Sequence, residues 1–192
     1  MDEELWQLFD ERGEARLDAG ATKSQATEQA MLHGAAHIWV WRQHSGTIEI
    51  LLQRRAAGKR TWPNKLDIPA AGHIRLGETP LAAALRETHE ELGLALRVDN
   101  LALFGVFRCY LAVEGTGLVE NEFQWLYLMR LDTDTFELQA SEVGEVFWKP
   151  LEQCRAELAD PGTCADYVPH GPAYFATLFE AIERAAAMVS EQ

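Results

Sequence analysis

Residues 72–94, GHIRLGETPLAAALRETHEELGL, specify one helix and fix both of its ends. Thr79 is a favourable N-cap, and Pro80 suits the first helical position, where its missing N–H is not needed. Gly93 ends the helix in a left-handed turn. A helix is therefore expected over Pro80–Leu92, with Leu81, Ala84, Leu85, Thr88 and Leu92 forming the buried stripe. Glu87, Glu90 and Glu91 stand three and four residues apart and are expected to share the other face. They crowd the C-terminal half, where the macrodipole disfavours each carboxylate by about 0.3–1 kcal/mol. Two carboxylates ~6 Å apart repel by a further ~3 kcal/mol at an effective dielectric of 20.

A divalent cation reverses the sign of both effects, and oxygen-only ligands are what Mg²⁺ takes, usually together with substrate phosphates. A solvated acidic face with an Arg86–Glu90 ion pair is the ordinary fate of such a run. Against it stands the complete spacing G-x5-E-x7-R-E-x-x-E-E-x-G, from Gly72 through Glu78 and Arg86 to Gly93. This pattern resembles the Nudix box. Thr88 departs from it, since the family prefers a bulky aliphatic residue there, and the departure bears on packing and not on the ligands.

A net charge of −13 opposes a non-specific grip on nucleic acid or an anionic membrane. No window reaches the ~20 apolar residues of a membrane span. The start, MDEELWQLFDE, does not read as a secretory signal. Cys109, Cys154 and Cys164 suggest neither a disulfide framework nor a clustered metal site, so a cytoplasmic location is expected.

Along the chain, residues 3–17 alternate around an Asp-Glu-Arg-Gly turn and read as a hairpin. Residues 21–31 suit a short helix that Ser24 can cap. Residues 34–42 and 47–55 read as two paired central strands, followed by a loop from 56 to 72. Residues 100–113 and 122–131 read as long strands joined around Gly115-Thr116-Gly117, and residues 142–148 as a turn and short strand. A helix then starts at Pro150, and a closing amphipathic helix over 172–189 turns Tyr174, Leu178, Phe179 and Ile182 inward. The expected fold is α/β, a three-layer sandwich with the acidic helix against a sheet.

Arg54, Arg55, Lys59 and Arg60 form the densest basic cluster and offer charge neutralisation for a diphosphate. Trp62, in the same loop, is a candidate pocket wall, while Trp39, Trp41, Trp125 and Trp148 suit the core. Glu120 and Glu122 fall on one face of a strand, either as a charged edge or as a second acidic wall for the cation. Glu142 is a candidate general base. His33 and His73 are candidate ligands, although a lone histidine beside a strand is more often structural, and His89 is expected in solvent.

Beyond the box, residues 5–179 are similar to the Nudix branch of type I isopentenyl-diphosphate isomerases and their hydrolase-like relatives. The resemblance implies a Nudix α/β/α sandwich with a mixed sheet over residues 31–192, with residues 1–30 as a hairpin and helix of the same domain. It implies that Glu87, Glu90, Glu91 and the Gly72 carbonyl hold Mg²⁺, or Mn²⁺, and that Arg86, paired with Glu78, orients the carboxylates. His33, His73, Glu120 and Glu122 match positions at which the isomerases bind metal or act as acid, and Arg55 and Lys59 match diphosphate-holding positions; His73 is a further candidate for substrate contact. The isomerase cysteine is replaced by Ala71, and the preceding Ile68, Pro69 and Ala70 supply no thiol. The implied activity is Mg²⁺-dependent hydrolysis of a diphosphate linked to another moiety, by a monomer or homodimer. An isomerase and a catalytically silent metabolite-binding module are the alternatives. The base remains open among Glu87, Glu90, Glu120 and Glu142.

Overall fold

A computed structural model describes residues 4–190. The elements run β1 (Leu5–Phe9), β2 (Ala15–Thr22), α1 (Lys23–Glu28), β3 (His33–His44), β4 (Thr47–Arg55), β5 (Leu66–Asp67), β6 (Ala70–His73) and α2 (Pro80–Leu92). After these come β7 (Ala102–Val113), β8 (Leu118–Arg130), β9 (Val143–Pro150), α3 (Leu151–Ala159) and α4 (Pro172–Ser190).

The strand β3 organises the sheet. It runs parallel to β8 and antiparallel to β4 and β6, so the sheet is mixed. Covered on both faces, β3 is buried from His33 to Arg42. Trp39 and Trp41 point to the layer of α3 and α4, where Leu151, Tyr174, Leu178, Phe179 and Ile182 pack. Ile38 and Val40 point the other way, to Ala83, Ala84 and Leu92 of α2. The result is an α/β/α sandwich with a mixed sheet.

Both ends of α2 follow from its sequence. Thr79 Oγ1 accepts from the Ala82 N–H at 3.2 Å, and Gly93 closes the helix at φ +71° with its N–H on the His89 carbonyl at 3.0 Å. Thr88 is fully buried, and its hydroxyl donates to the Ala84 carbonyl at 2.7 Å, so a polar group in the apolar layer is satisfied within its own helix. Replacing Thr79 by Ala is expected to cost about 1 kcal/mol. Thermal unfolding should show the midpoint falling by roughly 2–4 °C for a chain of this size.

Several sequence expectations change. The buried face of α2 includes Ala83 and Glu91, whereas Leu81 and Leu85 are only half-buried, so Glu91 does not share the exposed face of Glu90. The sheet approaches α2 closely enough to take in a residue beyond the apolar stripe. Thr22, not Ser24, caps α1, in a reciprocal capping box with Gln25. The stretch read as a loop over 56–72 contains β5 and β6, whose short pairings with β4 and β3 carry too little periodicity to be legible. Strand β8 begins at Leu118, so Glu120 and Glu122 lie inside it. The N-terminal hairpin is present from Glu4 onward, with its second strand extended to Thr22; Glu3 lies outside the described residues.

Candidate active site

A cavity of about 410 Å³ lies where β6, the α2 face, the N-terminal hairpin and the loops after β4 and α3 meet. Register builds it. The β3–β8 pairing sets His33 beside Glu122, and the β3–β6 pairing sets Ala35 beside His73. A slip of one residue on either strand would turn these side chains to the opposite face.

On the α2 side, Arg86 holds the acids together. Its Nε and Nη2 donate to the two oxygens of Glu78, each at 2.9 Å, and Nη2 also donates to the His73 carbonyl at 2.9 Å. Its Nη1 reaches Glu87, and Glu90 at 3.3 Å. Glu78 is fixed in turn by the Arg75 N–H at 3.0 Å. Gly72 lies against Glu87 so closely that a Cβ there would sit 2.0 Å from the Glu87 carboxyl carbon. Glu91 is 5% exposed and accepts from the Ala71 N–H at 3.0 Å. Burial drives its pKa up to about 8 against that hydrogen bond, with Glu87 adding to the rise. Burial also raises Glu87, although Arg86 opposes it.

A second cluster adjoins the same cavity, which His73, Glu120 and Glu122 line while His33 lies fully buried behind them. The ligand atoms of His33, His73, Glu120 and Glu122 lie within 4.8 Å of one another. His33 Nδ1 donates to the Met31 carbonyl at 2.8 Å, which leaves Nε2 directed at Glu122 Oε1, 3.3 Å away. A histidine oriented through its other nitrogen in this way is the usual posture of a metal ligand. His73 Nε2 is 3.2 Å from the same oxygen, and its ring stacks on Trp6 of β1 with centroids 3.5 Å apart. Glu120 Oε2 is buried without a partner, an orphan that a cation would satisfy. Burial and the neighbouring Glu122 raise Glu120 to about 7. Burial would raise Glu122 too, but hydrogen bonds from His33 and His73 outweigh it and hold that carboxyl well below the usual range. Burial lowers His73 to about 4.

The basic wall is tethered. Lys59 pairs with Glu142, and Arg55 Nη1 with Asp67 at 2.9 Å. Trp62, at φ +52°, also lines the cavity. Thus Glu87, Glu90, Glu91, Gly72, Arg55, Lys59, Trp62 and Glu142 border one space with His73, Glu120 and Glu122. The last two acids stand with the two histidines rather than among the α2 carboxylates, and Glu78 acts through Arg86 from outside the cavity lining. His89 is exposed.

Sequence reasoning missed several cavity residues. Lys23, at the start of α1, faces the cavity; burial, with Lys59 adding to it, lowers its pKa. It is the single Lys or Arg between Arg16 and Arg42, a signal that was available. Trp6, His37, Asp67, Cys109 and His170 reach the cavity from separate elements, and no spacing connects them.

Known proteins resemble the chain over most of its length. Residues 31–166 match the NUDIX domain. The chain is 32% identical over 176 residues to Nudix hydrolase 3 of Arabidopsis thaliana, covering 88% of this chain but only 22% of that much longer protein. It is 34% identical over 179 residues to an isopentenyl-diphosphate Delta-isomerase of Streptomyces griseus, covering 92% of this chain and 82% of the relative. A solved structure from Deinococcus radiodurans, 22% identical, shares the fold at a TM-score of 0.61 over 94% of this chain and 98% of its own. With the box acids gathered on α2 and the domain matched over most of its length, the chain belongs to the Nudix family, among hydrolases and isomerase-named relatives.

Proposed function

We propose that the protein hydrolyses a diphosphate linked to another moiety, with Mg²⁺ as cofactor and Mn²⁺ as a substitute. One observation carries the reading: Glu91 is buried beside Glu87 with an N–H as its hydrogen-bond partner, in the same cavity as Lys23, Arg55 and Lys59. Carboxylates and cations facing one space suit a divalent ion bound together with an anionic substrate.

The donor set fits that ion. Glu87, Glu90, Glu91 and the Gly72 carbonyl offer only oxygen, and the missing side chain at Gly72 leaves room for the Glu87 carboxylate. When bound there, Mg²⁺ supplies Lewis acidity that draws charge from the diphosphate oxygens. Arg86 keeps Glu87 and Glu90 in place through Glu78. Lys23, Lys59 and Arg55 neutralise the diphosphate. A water adds to one phosphorus as the bridging P–O bond breaks, and its proton passes to a carboxylate facing the cavity, among Glu87, Glu90, Glu120 and Glu142.

Purified protein tested on nucleoside, sugar and prenyl diphosphates with Mg²⁺ or Mn²⁺ should release phosphorylated products from at least one, resolved by liquid chromatography. EDTA should stop the reaction and added Mg²⁺ restore it. Tight Mg²⁺-dependent binding with no cleavage across the panel would support the silent-module reading instead.

One observation favours an isomerase as the second reading. Cys109 of β7, registered opposite Glu122, puts a thiol on the cavity wall although Ala71 lacks one. Burial raises that thiol to about 11. Deuterium uptake from D₂O into isopentenyl diphosphate tests this reading directly.

A further inference from the structure

Behind Arg55 the cavity wall carries Asp67 and His170, which phosphoanhydride chemistry leaves without a role. Asp67, at the end of β5 and 6% exposed, accepts from Arg55 Nη1 at 2.9 Å and lies 2.8 Å from His170 Nε2. Burial would raise its carboxyl, but His170 and Arg55 outweigh that and hold it at about 2. An ionised carboxylate only accepts, so Nε2 of His170 carries hydrogen. The plane of the ring is fixed independently, by stacking on Tyr174 with centroids 4.7 Å apart and 20° between planes.

Tyr174 is itself pinned. Trp39 Nε1 donates to its hydroxyl at 2.9 Å, and the hydroxyl is hydrogen-bonded to His37 Nδ1 at 2.8 Å. Stacking thus sets the plane of His170 and Asp67 sets its rotation within that plane. The remaining nitrogen, Nδ1, has a fixed direction and no hydrogen bond among the described residues, on a side chain that lines the cavity. Such a group, held by packing and by a supporting hydrogen bond, is preorganised to read a ligand.

We propose that His170 is a specificity-determining residue: its Nδ1 accepts a hydrogen bond from the moiety attached to the diphosphate, so hydroxylated moieties are selected over hydrocarbons of equal size. The inference rests on the hydrolase reading for the placement of the diphosphate near Arg55, whose guanidinium is tied through Asp67 to the same imidazole. A hydrocarbon in that position would leave a desolvated acceptor unpaired, a difference of roughly 10–100-fold in affinity.

Ribose 5-diphosphate and pentyl diphosphate, each with five carbons, make the comparison. Phosphate release gives kcat/KM with Mg²⁺, and calorimetry with Ca²⁺ in its place gives dissociation constants. Wild type is expected to prefer the ribose compound at least tenfold. His170→Phe keeps an aromatic ring against Tyr174 but loses the acceptor, and should reduce that preference about tenfold or more. His170→Asn returns an oxygen close to the Nδ1 position and should recover most of it. Equal binding of the two compounds by wild type, or an unchanged preference in His170→Phe, overturns the inference. If neither compound is cleaved, the hydrolase reading loses support for these substrates, and the dissociation constants still decide the role of His170.

Discussion

Glu91→Gln is expected to lower Mg²⁺-dependent turnover by about 10²–10³-fold, the scale typical of removing one key electrostatic group, and at the same time to stabilise the metal-free protein. The stabilisation follows from the carboxyl's pKa of about 8 against its ordinary 4.5. A folded-state pKa raised above the unfolded one means that the folded chain binds the proton more tightly. The contribution is fully present below about pH 4.5 and is lost as pH rises through about 8. Each pKa unit is worth ~1.4 kcal/mol, so at pH 8 the buried charge costs on the order of 2–5 kcal/mol. Glutamine keeps the acceptor for the Ala71 N–H and removes that cost.

In EDTA at pH 8 the variant should therefore melt roughly 5–10 °C above wild type. The gap should close toward pH 4.5. Mg²⁺ should raise the wild-type midpoint and leave that of Glu91→Gln almost unchanged. If the variant melted below wild type at pH 8 in EDTA, Glu91 would be an ordinary structural hydrogen-bonding group, and its burial would give no argument for a cation.

What the sequence discloses here divides by distance along the chain. The ends of α2, the Arg86–Glu78 pair and the clustering of Glu87 and Glu90 depend on neighbours within fifteen residues, and helix periodicity with cap chemistry makes them readable. The inward turn of Glu91 was not readable, because it depends on how closely β6 approaches α2, and the Ala71 N–H that receives the carboxylate lies on another element. The grouping of His33 with Glu122, 89 residues apart, follows from the parallel β3–β8 register. A chain reading can nominate both side chains but cannot pair them. Asp67 and His170, 103 residues apart, belong to a two-residue strand and an irregular loop, where no period exists to read. Lys23 differs, because its isolation as a cation in that segment is visible in the sequence alone.

Gly72→Ala carries the second large expected effect, and it tests geometry rather than charge. The added methyl would lie 2.0 Å from the Glu87 carboxyl carbon and 2.1 Å from one of its oxygens, inside any permitted contact. Glu87 cannot easily swing away, because Arg86 engages it while also bound to Glu78 and the His73 carbonyl. Either the carboxylate leaves its place or β6 parts from α2. Displacement of about 1 Å at a reacting centre is enough to lose ~10²-fold in rate, so kcat/KM should fall at least that far. Overpacking should also cost about 1–3 kcal/mol of stability. The cause can be separated by a double-mutant cycle. In a Glu87→Ala background the clash partner is gone, so adding Gly72→Ala should leave the melting midpoint nearly unchanged while activity stays absent. Equal destabilisation in both backgrounds would place the strain elsewhere on β6, and Glu87 would then not be the group that requires a glycine at position 72.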